Sequence, residues 1–305
     1  MRVRVTVQTP PGFVYKRTLS SHGWRGLPPF HVDRRERLHG VVTRPEGGAL
    51  AYRLAPRSGC IAVATVSPVI DADRRLLRET TRRVLGLDLD LSGFHDRVRQ
   101  IDGMQWIAAT GSGRFLRSAS LFEDLVKLVL TTNCSWAFTT QMVRAMVDCY
   151  GEATPEGTRA FPGAAAIAKA GAKGLRQRIH AGYRAPLVAH LAQQVTDGST
   201  DPDAWEHDTR EPLELRRELL KLPGVGPYVA ENLLRFLGRP AGLALDSWLR
   251  AKYARVYHGG RRVTDRTIAR RYAKLGPWGS LALWCEMTRD WFEADDPDAR
   301  CRALQ

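Results

Sequence analysis

The sequence has no long apolar run. No stretch of about 18 consecutive apolar residues occurs in its 305, so no α-helical membrane span is expected. The opening MRVRVTVQTP lacks the charged-then-apolar order of a secretory leader. Cysteine is scarce. Cys60, Cys134, Cys149, Cys285 and Cys301 are odd in number and widely scattered, a usage that fits reduced thiols rather than a disulfide framework. No metal held by side chains is expected. Acidic residues are in deficit, 32 against 46 lysines and arginines, for a net charge of +14. A polyanionic partner is the natural reading, although an arginine-rich composition can also be no more than a basic surface. Together these features point to a soluble, cytoplasmic protein, with the nucleoid as its place in a bacterium and no membrane as a partner.

At this length there is room for one large domain or two ordinary ones, with ample core. The first 110 residues read as a small α+β unit. RVRVTVQ over 2–8 alternates apolar and polar, and LHGVVTR (38–44), ALAYRL (49–54) and CIAVATV (60–66) are further strands. Pro45-Glu46-Gly47-Gly48 makes a hairpin between two of them. DADRRLLRETTRRVL over 71–85 has helical spacing and a basic outer face. Between the first two strands, SHGWRGLPPFHVDRRER (21–37) reads as a loop anchored by Trp24 or Phe30, whose rings can equally be mere packing.

After the glycine-rich break at 110–114 the pattern turns helical. SLFEDLVKLVL (120–130) opens on a capping box, Ser120 with Glu123, and is apolar around most of its circumference. Thr131-Thr132-Asn133-Cys134-Ser135 interrupts it, and WAFTTQMVRAMVDCYG begins another helix. Phe161-Pro162 leads into AAAIAKAGAKGLRQRI, then Gly182-Tyr183-Arg184-Ala185 and a helix to about Val195. A polar linker covers 197–212.

The most informative stretch is KLPGVGPYVAENLLRFLGRPAGLALDSWLR, 221–250. Pro223 and the two nearby glycines stop the amphipathic helix before it, and Pro227 suits the first position of the next. The opening turn of that helix leaves N–H groups unpaired, and Gly224 and Gly226 have no side chains to screen them, which makes a seat for a phosphate. Asp246 follows twenty positions after Gly226 and precedes the helix SWLRAKYARVY as its N-cap, where the helix dipole favours an ionised carboxylate.

Hairpin (Leu222, Gly224, Val225, Gly226), the Gly/Pro loop 238–242 and Asp246 together resemble the helix-hairpin-helix superfamily of DNA glycosylases. The β-rich N-terminus resembles its alkylbase and 8-oxoguanine branch. That resemblance implies an α+β fold: an antiparallel sheet domain over 1–110, then an all-α glycosylase region over 111–305. Within the latter, 111–244 contains the hairpin at 221–236, and 245–305 forms the terminal helices around Trp278, Trp284 and Trp291. It implies a partner, double-stranded DNA holding a damaged base, bound by a monomer. It also implies roles: Asp246 for bond cleavage, the hairpin amides for a phosphate, Asn133 as the wedge filling the space of the extruded base, and Arg184 of GYRA as the contact to the opposite base.

Some of these enzymes carry four clustered cysteines for an iron-sulfur cluster. Only Cys285 and Cys301 lie in the tail here, so none is expected. No cofactor is implied beyond a monovalent cation that hairpin carbonyls can hold together with DNA.

The sequence departs from the strand-cutting members at one position. They place a Schiff-base lysine four residues after the first hairpin glycine, where this chain has Tyr228. A monofunctional enzyme is therefore expected. Alkylbase enzymes place an aromatic ring there to stack on a cationic base, with Trp136 or Trp248 completing the pocket and Asn232, one turn on, bonding a base edge. GYRA and Asn133 instead match the 8-oxoguanine enzymes. Alkylated purine is thus the first substrate expectation, and 8-oxoguanine or another modified base the second. A non-catalytic hairpin protein that binds DNA lesions or structures is the rival of another class.

Overall fold

The computed structural model describes residues 4–293. Its N-terminal part is a five-stranded antiparallel sheet, β1 (Arg4–Gln8), β2 (His31–Val32), β3 (Leu38–Thr43), β4 (Ala49–Arg57) and β5 (Cys60–Thr65), in the order β1-β5-β4-β3-β2. The alternation of the sequence becomes the two faces of this sheet: Val5 and Val7 of β1 are buried between exposed Thr6 and Gln8. Residues 2 and 3 of the expected first strand lie outside the described residues. Two details depart from expectation. β4 runs on through Pro56, paired with Ile61, and the edge strand β2 comes from the stretch read as loop, its two residues pairing with Leu38 and His39.

Among the described residues there are fourteen α-helical segments, all but the first of them after the sheet. The short α1 (Tyr15–Leu19) precedes β2; α2 (Asp71–Val84) packs on the sheet; α3 (Ser92–Arg99) and α4 (Gln105–Ala109) lead to α5 (Leu121–Leu130) and α6 (Trp136–Tyr150). Then come α7 (Ala164–Ile179), α8 (Arg184–Thr196), α9 (Pro212–Leu219), α10 (Pro227–Phe236), α11 (Ser247–His258), α12 (Asp265–Tyr272), α13 (Gly279–Met287) and α14 (Asp290–Glu293). The architecture is α+β. None of the described helices is long and apolar enough to cross a membrane.

α5 is the central helix, with every residue buried. Ser120 caps it by accepting from the Glu123 N–H at 3.2 Å. The Glu123 carboxylate bonds Lys127 Nζ at 2.6 Å, so the two charges satisfy each other in the interior. α7 is broken at Gly171, whose φ of 61° and ψ of 178° leave the helical region. The polar linker 197–212 is partly docked: its one-turn 3-10 helix, Asp203–Glu206, sets Glu206 2.8 Å from Arg83.

The sheet and the helices share one continuous core, from Val5 through Leu125 and Leu233 to Met287. Residues distant in sequence are bonded across it. Trp284 Nε1 of α13 donates to the Ser21 carbonyl at 2.8 Å, which draws the last helices onto the loop between α1 and β2.

Candidate active site

α9 and α10 meet in the hairpin at Leu220–Gly226. Gly224 has a φ of +76°, and a Cβ there would lie 3.1 Å from Leu187 and 3.3 Å from Val129, so backbone conformation and close packing on α8 and α5 both call for glycine. Gly226 is the extended N-cap of α10, exposed, with nothing near the place a Cβ would take. Leu222 is half-buried and Val225 buried, so Gly226 stands exposed over an apolar underside.

The loop from α10 to Asp246 is held by a residue that the sequence reading missed, Glu231. Its carboxylate accepts from the Ala244 N–H at 2.7 Å and from Arg216 Nε and Nη2 at 3.0 and 2.7 Å. A Cβ on Gly242 would fall 2.2 Å from that carboxylate, so the glycine is what lets loop and helix approach. Clamped in this way, the chain enters α11 with Asp246 at its N-cap, Oδ1 accepting from the Leu249 N–H at 2.6 Å.

Asp246 opens on a cleft of about 670 Å³. Trp136, Tyr228, Trp248 and Asn232 all line it, as does Asn133, so the residues proposed for the pocket and for the wedge converge on one space. Burial pushes the Asp246 carboxyl above the ordinary carboxylate range, against the Leu249 N–H, Arg235 and Arg250, which all favour the ion. The sequence-based expectation is that the helix dipole keeps this carboxylate ionised; in the folded chain desolvation acts against it and is the larger influence.

Two further placements differ from expectation. Arg184 is only 4% exposed, and its Nε donates to the Thr132 carbonyl at 2.9 Å while Nη2 bonds the same oxygen. A guanidinium so committed fixes the turn before Asn133 and is not presented to a base edge. The exposed neighbour is Tyr183, whose hydroxyl lies 3.1 Å from Asn133 Nδ2. Asn133 itself is exposed with a φ of 48°, a left-handed conformation that asparagine tolerates better than most residues. Asn232 is 7% exposed, with Nδ2 donating to the Tyr228 carbonyl at 2.9 Å and Oδ1 accepting from Arg235 at 3.0 Å, so one amide hydrogen and one Oδ1 lone pair are left for a ligand.

Two groups in the cleft were not foreseen. Arg235 is fully enclosed, donating to Ser280 Oγ, Asn232 Oδ1 and the Leu243 carbonyl, and it is a fixed positive charge under the pocket floor. The α1–β2 loop supplies His22, Gly23 and Trp24 as a wall. Trp24 is 3% exposed and bonded through Nε1 to Asp124 at 2.8 Å, so it is both core and lining. The Trp136 indole lies against Gly23, where a Cβ would come within 2.3 Å of its ring. The signal for Arg235 was present in the sequence, an arginine on the apolar face of α10; for the loop there was only its aromatic content.

Among the described residues no group of three or more His, Cys, Asp or Glu side chains could hold a metal. Cys301 lies outside them.

No protein-family model matches the sequence. A probable N-glycosylase/DNA lyase of Methanothermobacter thermautotrophicus is 22% identical over 248 residues, 73% of this chain and 78% of that protein. A probable bifunctional transcriptional activator/DNA repair enzyme AlkA of Mycobacterium tuberculosis is 28% identical over 71% of this chain. The match spans less than half, 44%, of that longer protein. Among solved structures, a 3-methyladenine DNA-glycosylase from Archaeoglobus fulgidus superposes with a TM-score of 0.72 at 20% identity, covering 97% of this chain and all of that one. The chain has the fold of the helix-hairpin-helix DNA glycosylases, the superfamily that its hairpin, loop and Asp246 resemble.

Proposed function

We propose that the protein is a DNA N-glycosylase of base-excision repair that extrudes a damaged base from double-stranded DNA and hydrolyses its N-glycosidic bond, leaving an abasic site in an intact strand. The observation that carries this reading is a single carboxylate, Asp246, held at the end of a clamped loop in an aromatic cleft beside a glycine hairpin.

A base stacked in duplex DNA is out of reach of such a carboxylate, so the nucleotide must leave the helix. The hairpin amides around Gly224 and Gly226 would grip a phosphate, with any monovalent cation held by the hairpin carbonyls and DNA together. Asn133, on its exposed turn, would fill the gap. Tyr228, Trp136 and Trp248 would sandwich the base. As the bond to the sugar breaks, positive charge develops on the sugar carbon, and ionised Asp246 would stabilise it and orient the attacking water. Arg235 and Arg250 favour that ionised form.

Three features support hydrolysis over lyase chemistry. Tyr228 occupies the position of the Schiff-base lysine, Lys221 is paired with Glu218 at 2.8 Å, and Lys252 is paired with Asp290 at 2.5 Å. An alkylated purine is the substrate we favour, because Tyr228 and tryptophan rings line the cleft, and aromatic rings suit a cationic base. The pairing of Asn133 with Tyr183 of the GYRA motif favours, second, an 8-oxoguanine-type substrate.

The test is excision by the protein, which we propose acts as a monomer, from duplexes carrying single alkylated purines, hypoxanthine, 8-oxoguanine or uracil, with and without alkali. Alkali-dependent cleavage at one lesion is expected. Cleavage without alkali, or a borohydride-trapped adduct, would overturn the monofunctional reading. Tight binding to lesion DNA with no excision would favour a binding protein.

A further inference from the structure

His22 is held from several sides. Its Nε2 lies 2.7 Å from the Leu116 carbonyl, its ring stacks on Phe236 at 5.0 Å and 26°, and Trp24 and Phe115 pack against it at 4.8 and 5.3 Å. The flanking backbone is pinned as well. Ser21 Oγ accepts from the Leu116 N–H at 2.9 Å, the Ser21 carbonyl accepts from Trp284, and Trp24 is bonded to Asp124. A carbonyl can only accept, so the proton of the neutral ring sits on Nε2 and Nδ1 keeps its lone pair. Burial pushes the imidazole down to about 4, which keeps this tautomer neutral at physiological pH.

Nδ1 makes no hydrogen bond to the described residues, and it is not among the side-chain atoms sealed from solvent without a partner. His22 lines the Asp246 cleft. A rigid acceptor of fixed protonation therefore stands in the wall of the space where the base would lie.

We infer that His22 is a specificity-determining residue, whose Nδ1 accepts a hydrogen bond from an N–H of the extruded base, so that the cleft selects bases presenting a donor at that edge. This rests on the glycosylase reading above. A base with an acceptor or a bare C–H at that edge would leave two lone pairs opposed, or Nδ1 dry and unpaired, and such a mismatch is costly in a desolvated pocket.

Two variants separate this role from a structural one. His22→Gln keeps an N–H for the Leu116 carbonyl and removes the acceptor at the δ position; His22→Asn keeps that acceptor and gives up the Leu116 bond. The measurement is single-turnover excision from duplexes carrying matched pairs: 7-methylguanine against 7-methylhypoxanthine, and 3-methyladenine against 3-methylpurine. Wild type should prefer the amino-bearing member of one pair by about 10- to 100-fold. His22→Gln should lose that preference and His22→Asn should keep most of it, whatever either does to stability. Equal preferences in wild type and His22→Gln, or no preference in wild type, would overturn the inference alone. No excision of any base by wild type would overturn the glycosylase reading as well.

Discussion

The two walls of the cleft are built in opposite ways. One wall, α10 through the Gly/Pro loop to Asp246 and Trp248, is a single segment whose geometry is set by local rules: a proline start, glycines with positive φ, an aspartate cap. The other is assembled from the α1–β2 loop, the Asn133 turn and Trp284, which lie far apart in sequence and meet only through the shared core. The first wall holds the proposed chemistry. The second is the one we propose to shape what enters.

That division predicts different consequences for damage to each. The largest effect short of removing Asp246 should come from Glu231→Ala, which leaves the Ala244 N–H and the Arg216 guanidinium without their acceptor. We expect a loss of about 2 kcal/mol in urea unfolding and an approximately 100-fold fall in single-turnover excision of every substrate alike, because Asp246 is displaced. Unchanged excision would mean that the loop holds Asp246 without its clamp. Next is Gly23→Ala, whose new Cβ forces the Trp136 indole to move. Excision should fall about 10-fold and unequally between lesions, with a shift in tryptophan fluorescence. An equal loss for all lesions would show that the second wall does not read the base. The smallest effect should come from Arg184→Lys, which loosens the turn before Asn133. Affinity for abasic-site DNA should weaken a few-fold, about 1 kcal/mol, with little change in the cleavage step measured at saturating enzyme.

The same contrast explains what could be read in advance. The strands β1, β3, β4 and β5, the central helix, the hairpin and the Asp246 cap follow from alternation, apolar periodicity, glycine and proline, all features of neighbouring residues. The two-residue strand β2 was hidden because it is specified by pairing with β3 rather than by its own composition. The sequence offers Arg184 as a contact to the opposite base because nothing in its neighbourhood announces that the Thr132 carbonyl lies within reach. His22 and Trp24 could not be placed in the cleft, since their partners Leu116 and Asp124 are about a hundred residues away. Even for Asp246 the sequence indicates the cap but not its desolvation, which reverses the direction of its shift.

That reversal has a consequence for stability. A carboxyl raised in the folded state binds its proton more tightly there than in the unfolded chain, so it contributes relative stability at low pH that is lost as pH rises through the folded value. At pH 7 the buried charge is therefore a cost that function retains. Asparagine caps a helix as well as aspartate and carries no charge. Asp246→Asn should melt at the same or a higher temperature than wild type at pH 7, with the advantage shrinking towards pH 4. A clear drop in melting temperature at pH 7 would mean that the attraction of the Arg235 and Arg250 charges outweighs the burial.

The most direct test of the central claim uses that same variant. Single-turnover excision of the preferred lesion by wild type and Asp246→Asn, with affinity for the lesion duplex measured in parallel, separates cleavage from binding. We predict a fall in excision of about 10²- to 10⁴-fold, with affinity equal or tighter because a negative charge near the phosphates is gone. Excision within a few-fold of wild type would show that another group breaks the bond.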